Sequence, residues 1–535
     1  HLPTPAAQLR RPPTDMSSEA AVRAEERAVE AEIASVQSFM NSERFKHIKR
    51  TFTAKDVVAF KGTYAHSPKS AATAAKLYSL CRDAFNKGTY NKTFGALDPV
   101  QVTQMAEYIN CVYVSGWQCS STASTSNEPG PDFADYPANT VPNKVDQLFR
   151  AQLLKDRQQR EERMRMTPEE RRATKQIDFM RPIIADGDTG FGGVTSVMKL
   201  VKMHVEAGAA GVHIEDQSPG TKKCGHMGGK CLIPVREQIV RMNAARLQCD
   251  IMGVETVLIS RTDAEAATFI ISNIDSRDHP FIGGATNPSV GSLNDAVDER
   301  GPAYQTQWLE ECGLKRYPEA IADAMRAKNA SKAAVDAWLA AAYKLSHSEA
   351  RRLATKNGFG DVFWDWEAPR AREGYYRVVP GIDYSAARAI AFSECSDLIW
   401  METATPNVEV ARGFAEVVHA AVPNQMLAYN CSPSFNWAAF LSPQEIASFQ
   451  QSIAKFGFAW QFITLAGFHA NGLKITEFAR DYASDRGMLA YVERIQGPEG
   501  EQGVSTLTHQ KWSGADFFDN IMSTASGGMS STLSQ

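Results

Sequence analysis

The sequence predicts a TIM-type (β/α)8 barrel of the α/β class, and two features carry that prediction. Short apolar, β-branched runs recur along the chain, and each ends in a cluster of polar or charged residues. Runs of this kind are typical of parallel strands that are buried on both faces. Helix-like stretches, such as 193–208 and 235–250, lie between several of them. Functional residue types at strand C-termini are expected of a barrel whose active site is built on that face.

Seven strands are predicted in this way, one fewer than the eight that such a barrel requires. They lie at 112–114, 182–185, 211–214, 257–260, 398–400, 426–429 and 462–463. A doubly wound sheet is the alternative, but no G-x-G-x-x-G segment follows an early strand to support it.

The rest of the chain divides by composition. Residues 17–45 are rich in Ala and Glu and are predicted to form a helix, within an N-terminal tail and helical region at 1–105. The barrel is predicted at 106–274 and 366–475, interrupted at 275–365 by an Ala-rich helical insertion without evident strands. C-terminal helices and a tail take 476–535, and the Ser-, Gly- and Thr-rich end is expected to be mobile or ordered by a partner.

The overall composition excludes several classes of protein. Hydrophobic residues make up 43% and charged residues 22% of the 535 positions, as in ordinary soluble globular proteins. The net charge of −4 argues against nucleic acid as a partner. No apolar run approaches about 18 residues, so no membrane span is expected. Nine cysteines without a C-x-x-C pair indicate buried, unpaired thiols in a reducing compartment.

The composition of the first residues predicts the cellular compartment of the protein. Residues 1–16 contain Arg10, Arg11 and four prolines. This composition is similar to that of a trimmed organelle presequence and predicts the mitochondrial matrix. A glyoxysome or peroxisome and the cytoplasm are the alternatives.

The segment Lys222–Lys230 is the most informative part of the chain. It places Cys224 among three lysines and a histidine, with three glycines around them. Because cations stabilise a thiolate, this thiol is expected to ionise more readily than a free one, whose pKa is about 8.5. The glycines let the segment move, so Cys224 is expected to reach a bound substrate and transfer a proton there. The alternative is a lysine-rich surface turn with an incidental cysteine.

Acidic residues gather around two predicted strand ends. The set is Asp186, Asp188, Glu215 and Asp216, to which Asp132 adds a further carboxylate. Such an oxygen-rich cluster suits Mg²⁺, which prefers few carboxylates and several waters, with Mn²⁺ as the alternative. Individual members could equally cap helices or pair with Arg and Lys.

Neutral polar side chains follow two later strands. Asn430, Ser432 and Ser434 come after one strand, and Thr464 ends the next. Such donors can hold a carboxylate, and Arg261 adds a guanidinium that can bind one bidentately. Ser and Asn after a strand are often only turn residues. Together with the acids and the thiol, they indicate a site for a small polycarboxylate chelated to Mg²⁺.

Seven motifs resemble the isocitrate lyase family of the isocitrate lyase/phosphoenolpyruvate mutase superfamily, and the similarity runs from about 40 to 530. They are K-K-C-G-H-M at 222–227, S-G-W-Q at 115–118, A-D-G-D-T-G-F-G-G at 185–193, S-R-T-D-A-E-A at 260–266, W-M-E-T at 400–403, N-C-S-P-S-F-N-W at 430–437 and Q-F-I-T-L-A-G-F-H at 461–469. The resemblance implies a homotetramer of barrels whose last helix is exchanged between subunits.

The resemblance also implies roles for individual residues. Mg²⁺ would be held directly by Asp186, and mainly through water by Asp132, Asp188 and Glu215. The 2-oxo acid product would be held by Ser115, Gly116, Trp117 and Arg261. The succinate half would contact His226, Asn430, Ser432, Ser434 and Thr464. Gly225 is added to the substrate-binding residues, and the catalytic residues are Cys224, Tyr113, His226 and Glu402.

The implied reaction is a Mg²⁺-dependent retro-aldol cleavage of a carbon–carbon bond. Tyr113, beside S-G-W, is the candidate base for the proton of the substrate hydroxyl. Cys224 would then protonate the aci form of succinate inside a closed site from which water is excluded.

Two substrates are compatible with this scaffold. Isocitrate gives glyoxylate and succinate, whereas 2-methylisocitrate gives pyruvate and succinate, and one methyl group is worth only about 1–3 kcal/mol of discrimination. Trp400, Phe462 and Thr464 keep the isocitrate lyase pattern. Four positions differ from fungal isocitrate lyases, namely Gly187, Phe191, Gly228 and Cys231. With the presequence-like start, these differences favour 2-methylisocitrate, as in the fungal mitochondrial 2-methylisocitrate lyases, and isocitrate is the alternative.

Two other classes are less favoured. Oxaloacetate-type C–C hydrolases use a similar barrel and metal, but their chains are shorter, and release of oxalate from oxaloacetate would identify one. A non-catalytic scaffold would be expected to have lost Cys224 or the acids, and all are present.

Overall fold

The centre of the molecule is a closed barrel of parallel strands. The computed structural model describes residues 18–225 and 227–534, so the presequence-like residues 1–16 and His226 lie outside the described residues. Each barrel strand pairs with the next along the chain, and the last pairs with the first. The strands are β1 (Asn91–Gly95), β2 (Cys111–Val114), β3 (Ile183–Asp186), β4 (Gly211–Glu215), β5 (Val257–Thr262), β6 (Leu398–Met401), β7 (Met426–Asn430) and β8 (Phe458–Ile463). The predicted TIM-type barrel is confirmed.

Strand β1 is the one that the sequence analysis missed. Its inward positions include the polar residues Asn91 and Thr93, both buried. It aligns Thr93 with Cys111 of β2 and Asn91 with Trp460 of β8, which closes the barrel. A strand with polar residues at buried positions has no apolar run to reveal it. The barrel therefore begins inside the region 1–105 and not at 106.

Aromatic side chains fill the inside of the barrel. Trp460 and Phe462 of β8 stack with ring centroids 4.1 Å apart. Tyr113 of β2 lies 4.7 Å from Phe462, and Trp400 of β6 lies 5.1 Å from the same ring. All four side chains are at most 1% exposed. The barrel is thus a packed core, and polar chemistry is confined to its C-terminal end.

Helices surround the barrel and cover it with apolar faces. Val194–Ala207, for example, buries Val197, Leu200 and Val201 on one face and ends at Gly208, whose φ of 113° is left-handed. The others near the barrel are Ala71–Lys87, Pro99–Met105, Gly116–Thr122, Thr140–Arg165, Pro168–Ala173, Val235–Met252, Ile382–Phe392, Val408–Ala421, Trp437–Phe440 and Pro443–Ala454. The N-terminal elements are Glu19–Met40, Glu43–Phe45 and Ala54–Phe60.

The region between β5 and β6 is largely helical around its own apolar core. Its helices are Leu293–Arg300, Tyr304–Glu311, Tyr317–Ala327, Lys332–Ala342 and His347–Lys356, with a 3₁₀ turn at His279–Phe281. Two small sheets also occur, one of Gly283–Gly284 with Lys315–Arg316 and one of Cys231–Leu232, Phe269–Ile270 and Tyr376–Arg377. Strands of two residues have no periodicity, so the sequence did not predict them.

The C-terminal region is helical almost to its end. It contains Ala466–Tyr482, Met488–Tyr491, the π-helical turn Val492–Gln496, Gly497–Glu501, Ser505–Leu507, His509–Ser513 and Ala515–Ala525. The last of these lies in the tail that was expected to be mobile or partner-ordered, and Asn520 bonds Glu161 at 3.0 Å. Among the described helices, none has the length and apolar character needed to cross a membrane.

Candidate active site

Four of the five predicted acids, Asp132, Asp186, Asp188 and Glu215, meet at the C-terminal end of the barrel. Asp216 instead pairs with Arg388 at 3.1 Å, so its predicted place in the cluster was wrong. Asp186 ends β3 and Glu215 ends β4, while Asp188 and Asp132 come from loops. Each of the four side chains is less than 10% exposed. Neighbouring parallel strands bring their carboxyl ends to the same edge, and this is why residues far apart in sequence form one cluster.

Asp186 is held as a carboxylate by its surroundings. The backbone N–H groups of Gly116 and Asp188 each donate to it at 2.9 Å. Burial by itself would raise its pKa, but His213, Lys222 and these two donors outweigh burial and lower the pKa to about 2. Asp186 is therefore ionised at neutral pH.

Lys222 places its ammonium group inside the acid cluster. The Nζ atom lies 2.5 Å from Oδ2 of Asp132, 2.7 Å from Oδ1 of Asp188 and 4.0 Å from Oε1 of Glu215. Burial, and then repulsion from Asp188, raises the pKa of Asp132 to about 7. Burial also raises the pKa of Glu215, against the pull of Arg261 and Lys222. The lysine was noted in the K-K-C motif, but its partners could not be predicted from the sequence.

The donor set fits a hard divalent cation bound through few carboxylates. Within residues 18–225 and 227–534, no three His, Cys, Asp or Glu side chains are arranged to hold a metal ion by themselves. Mg²⁺ does not need such a cage, because it keeps several waters and takes one or two carboxylates. The position of the Lys222 ammonium between Asp132 and Asp188 demonstrates that this cluster accepts positive charge.

Cys224 is half-buried, unlike the other eight cysteines, which are buried. Burial raises the pKa of its thiol, and Lys222 opposes this only in part. The expectation of an easily ionised thiol was therefore wrong, because loss of hydration outweighs the nearby cation. At neutral pH the thiol keeps its proton and can donate it.

At Gly225 the same segment lies against the side chains of Glu402 and Arg261. A Cβ atom at this position would lie 2.6 Å from Oε1 of Glu402 and 3.2 Å from Nη2 of Arg261. Only glycine allows the backbone this close approach. The adjacent His226 lies outside the described residues, so its predicted role stays a prediction.

Tyr113 lies below the acids, inside the barrel. Its hydroxyl donates to Oδ2 of Asp186 at 3.2 Å and lies 2.9 Å from Nε2 of His213. Burial, and then the charge of Asp186, raises the pKa of Tyr113 well above its usual value of 10. The phenol is protonated at neutral pH, which is the opposite of what a resting general base requires.

Arg261 ends its strand among carboxylates. Its guanidinium donates to Asp263 at 2.9 and 3.0 Å, and it also lies 3.3 Å from Glu215 and 3.9 Å from Glu402. The guanidinium stacks over the ring of Trp400 at 4.4 Å. This clamp fixes the guanidinium plane, which suits bidentate binding of a substrate carboxylate.

The neutral donors form a chain across β6, β7 and β8. The Oγ1 atom of Thr464 donates to Oδ1 of Asn430 at 2.8 Å, and Nδ2 of Asn430 donates to Glu402 at 3.3 Å. In the following loop, the backbone N–H of Ser434 donates to Oγ of Ser432 at 3.1 Å. Ser432 is buried, whereas Ser434 is exposed, so the two hydroxyls differ in access.

The S-G-W segment begins a helix beside Asp186. The Oγ atom of Ser115 accepts from the N–H of Gln118 and caps the helix Gly116–Thr122. A side chain at Gly116 would collide with Tyr136 and Asp188, so the backbone approaches the acids closely. Trp117 packs edge-on against Phe468 at 5.2 Å.

The structure thus gathers the predicted site residues that it describes around one end of the barrel. It adds five buried residues that were not predicted: Lys222, Lys230, Asp263, His213 and Tyr136. Lys222 and Asp263 belong to motifs named in the sequence analysis, and Lys230 ends the segment Lys222–Lys230, so the sequence contained a signal for these three residues. Tyr136, which donates to Asp188, has no such signal.

Comparisons with known proteins agree with the resemblance. A family model described as "Isocitrate lyase family" matches residues 32–535. The chain is 51% identical to isocitrate lyase of Oryza sativa subsp. japonica, over 95% of this chain and 92% of that protein. It is 45% identical to isocitrate lyase of Saccharomyces cerevisiae, over 94% and 93%. It is 43% identical to a protein of Hypocrea atroviridis named "2-methylisocitrate lyase, mitochondrial", over 96% and 93%.

Proposed function

Because the chain belongs to the isocitrate lyase family and is therefore a carbon–carbon lyase, we propose that it cleaves isocitrate to glyoxylate and succinate. The observation that carries the proposal is the position of one short segment. Lys222 enters the acid cluster and Gly225 lies against Arg261 and Glu402. The thiol of Cys224, between them, is close enough to Lys222, Asp132, Arg261 and Glu402 for their charges to act on its pKa.

The choice of isocitrate departs from the expectation based on the sequence. The rice and yeast isocitrate lyases are more similar to this chain than the H. atroviridis 2-methylisocitrate lyase is. Two of the four deviating positions pack against neighbouring residues: Gly187 lies against the backbone of His213, and the ring of Phe191 lies 5.4 Å from that of Tyr136. Cys231 is buried, whereas Gly228 is exposed. Trp400, Phe462 and Thr464 keep the isocitrate lyase pattern.

Cleavage of 2-methylisocitrate is the second candidate. The similarity to the H. atroviridis protein extends over almost the whole of both chains. Since one methyl group changes binding by only about 1–3 kcal/mol, an enzyme for either substrate is expected to retain measurable activity on the other.

Mg²⁺ is the proposed cofactor. Asp186 is the proposed direct ligand, because it is ionised and ends a strand, and Asp132, Asp188 and Glu215 would contribute through water. When bound, the cation would polarise the substrate hydroxyl and the neighbouring carboxylate. Arg261 would hold a carboxylate of the substrate, with Ser115, Gly116 and Trp117 on the side of the 2-oxo acid product.

The proton of the substrate hydroxyl has to leave as the carbon–carbon bond breaks. In our proposal the Tyr113 hydroxyl turns from Asp186 to His213, and its oxygen accepts the substrate proton while its own proton passes to Nε2 of His213, 2.9 Å away. After the products leave, this proton returns by the same route to solvent. Burial lowers the pKa of His213, so its ring is neutral and can accept a proton. This relay avoids a free phenolate, which the raised pKa of Tyr113 opposes.

The electron pair of the broken bond remains on the succinate half, which leaves as the aci form. The Sγ–H of Cys224 donates its proton to that carbon and becomes a thiolate, which is reprotonated from solvent when the segment opens. Asn430, Ser432, Ser434 and Thr464 would hold the succinate carboxylates by hydrogen bonds. Glu402 orients Asn430.

A side-by-side kinetic assay tests the substrate. Purified enzyme with Mg²⁺ is given isocitrate and 2-methylisocitrate separately, and glyoxylate and pyruvate are detected independently. The proposal expects the higher kcat/KM with isocitrate. A ratio that favours the methylated substrate would establish the second candidate, and release of oxalate from oxaloacetate would contradict both.

A homotetramer with exchanged C-terminal helices is the proposed assembly. Of Ala466–Tyr482, only Gly467 is buried in the single chain. Large apolar side chains stand exposed there and just beyond: Leu473, Ile475, Tyr482, Met488, Leu489 and Val492. Exposed apolar surface on this scale is typical of an interface. Light scattering should give four times the chain mass, and a monomer would contradict the proposal.

The mitochondrial matrix is the proposed location. The Arg- and Pro-rich residues 1–16 support it, as does the word "mitochondrial" in the name of the H. atroviridis relative. Cell fractionation of the full-length protein tests this, and recovery with peroxisomes or cytosol would contradict it.

A further inference from the structure

The segment that carries Cys224 is bounded by two buried lysines, and the second of them, Lys230, has no role in the proposed chemistry. Lys230 is 1% exposed, and its Nζ atom donates to Oδ1 of Asp263 at 2.7 Å. Its carbonyl oxygen accepts from the N–H groups of Thr268 and Phe269 at 3.0 and 3.1 Å. Both the side chain and the backbone of Lys230 are therefore fixed to the region after β5.

The middle of the segment lacks such support. Met227 is 44% exposed, and the space around Gly228 and Gly229 is open within 4 Å of where a Cβ atom would stand. Gly229 has a φ of 77°, a conformation that other residues adopt only with strain. The segment is thus fixed at its two ends, Lys222 and Lys230, while Met227, Gly228 and Gly229, just before the second end, are exposed.

Asp263, the ion-pair partner of Lys230, is also the partner of Arg261, the proposed substrate-binding arginine. Asp263 is fully buried, and it accepts two hydrogen bonds from Arg261 in addition to the one from Lys230. The backbone N–H of Asp263 donates to the Asp216 carboxylate at 3.0 Å, which holds the Asp263 backbone in place. One carboxylate therefore connects the end of the Cys224 segment with the guanidinium that faces the site.

Charge balance gives Lys230 a second effect on the same arginine. Three carboxylates lie within 4 Å of the Arg261 guanidinium, those of Asp263, Glu215 and Glu402. Together these acids would repel a negatively charged substrate from Arg261, and Lys222, 4.0 Å from Glu215, offsets only part of their charge. The ammonium of Lys230 neutralises part of that charge from the buried side, where water does not screen it.

We propose that Lys230 is a positioning residue which, through Asp263, both orients Arg261 for the substrate carboxylate and fixes one end of the Cys224 segment. This inference rests on the proposed lyase function where it concerns the role of Cys224. The contacts that join Lys230, Asp263 and Arg261 are independent of that function.

The test compares purified, Mg²⁺-loaded Lys230→Met, Asp263→Asn and the double variant with wild type. Lys202→Met, an exposed lysine paired with Glu206, is the matched control. Two quantities are measured: KM and kcat with the substrate that the wild type prefers, and the rate at which iodoacetamide alkylates Cys224, with and without succinate. Thermal unfolding verifies that each variant is folded.

We expect Lys230→Met to raise KM by about tenfold or more and to lower kcat by a smaller factor. It should also speed alkylation of Cys224 in ligand-free enzyme and remove the protection by succinate, whereas Lys202→Met behaves as wild type. In the Asp263→Asn background, loss of Lys230 should add little, because the two act through one contact.

A folded Lys230→Met enzyme with KM within about twofold of wild type and unchanged alkylation would overturn the inference, as would fully additive effects in the double variant. If Lys230→Met alone does not fold, the double variant, which removes both buried charges, supplies the alkylation measurement. In that case wild-type alkylation kinetics in the double variant would equally overturn it. Should the wild type cleave neither isocitrate nor 2-methylisocitrate, the proposed function fails, while ligand-free alkylation still decides the inference.

Discussion

At the scale of single residues, burial sets the protonation states on which the proposed chemistry depends. Cys224 has lysines on both sides, yet loss of hydration raises its pKa and keeps the proton on sulfur. Asp186 is more deeply buried, but nearby positive charge and backbone N–H donors lower its pKa to about 2. The site therefore holds a protonated thiol and an ionised carboxylate at the same pH. This combination suits the proposed roles of Cys224 as proton donor and of Asp186 as metal ligand.

Cys224→Ser tests the proton donor. Because a hydroxyl group is a far weaker acid than a thiol, kcat should fall by about 10² to 10⁴. Substrate affinity should remain close to that of wild type, since Asp186 and Arg261 are untouched. Turnover is measured by release of the 2-oxo acid, and binding by calorimetry. Turnover at the wild-type rate would remove Cys224 from the mechanism.

At the scale of secondary-structure elements, buried ion pairs join segments that are distant in sequence. Asp397, just before β6, lies 2.5 Å from Nη1 of Arg44 and 2.8 Å from Nη2 of Arg246. It also accepts from the N–H of Leu258 in β5 at 2.9 Å. Burial alone would raise its pKa, but the two arginines hold it at about 2. One carboxylate thus ties the N-terminal region and a barrel helix to two neighbouring strands.

Asp397→Asn should destabilise the protein strongly. It removes the buried carboxylate that Arg44 and Arg246 share, and only the more distant Glu255, at 3.9 Å, remains as a counter-charge for Arg44. Breaking a buried ion pair in this way typically costs about 3–5 kcal/mol. The control is Asp336→Asn, whose partner Lys332 is exposed, and it should change stability by less than about 1 kcal/mol. Urea midpoints of both variants give the comparison. Equal midpoints would show that the pair does not contribute as described.

A histidine gives the insertion a pH dependence of its own. His347 packs against Tyr317, Trp364 and Trp366 with ring centroids 4.6–4.8 Å away. Burial, assisted by the charge of Arg351 and by His279, lowers its pKa from 6.5 to about 4. Between these two values the unfolded chain binds a proton that the folded insertion does not. Stability is therefore complete above about pH 6.5 and declines as pH falls toward 4.

Hydrogen exchange in the helices Tyr317–Ala327 and His347–Lys356 measures this effect. Protection should weaken more steeply between pH 7 and 5 in wild type than in His347→Gln, which cannot titrate there. All other groups are shared, so the difference in slope isolates His347. Parallel slopes for the two proteins would contradict the assignment.

At the scale of the whole molecule, the barrel concentrates negative charge at one end. The acids of β3 and β4 are brought together by strand pairing, and Lys222 offsets only part of their repulsion. A divalent cation bound there should stabilise the folded state by mass action, since it does not bind the unfolded chain in the same way.

Thermal melting in Mg²⁺ tests that expectation independently of activity. The Tm should rise with Mg²⁺ concentration, by the equivalent of about 2.7 kcal/mol at one hundred times the dissociation constant. EDTA should reverse the shift and stop turnover, and added Mg²⁺ should restore both. Asp186→Asn should lose most of the response. Full activity in metal-free enzyme would contradict the proposed cofactor.

The sequence by itself determined the architecture and indicated most residues of the candidate site. Apolar runs that end in polar clusters predicted the barrel strands, because the interior of a parallel barrel imposes that pattern on each strand locally. Strand β1 was not predicted, because the polar residues Asn91 and Thr93 occupy its buried positions. Tertiary contacts satisfy these polar groups: the Asn91 side chain donates to the carbonyl of Ala459, which is distant in sequence.

Only the tertiary structure decided the partners and the protonation states. Lys222 meets Asp188, and Lys230 meets Asp263, across 34 and 33 residues of chain, and no local pattern specifies such pairs. The Cys224 thiol is protonated rather than ionised, because its hydration depends on everything packed around it and not on its neighbours in sequence. Charge can be counted along a sequence, but desolvation is a property of the folded molecule.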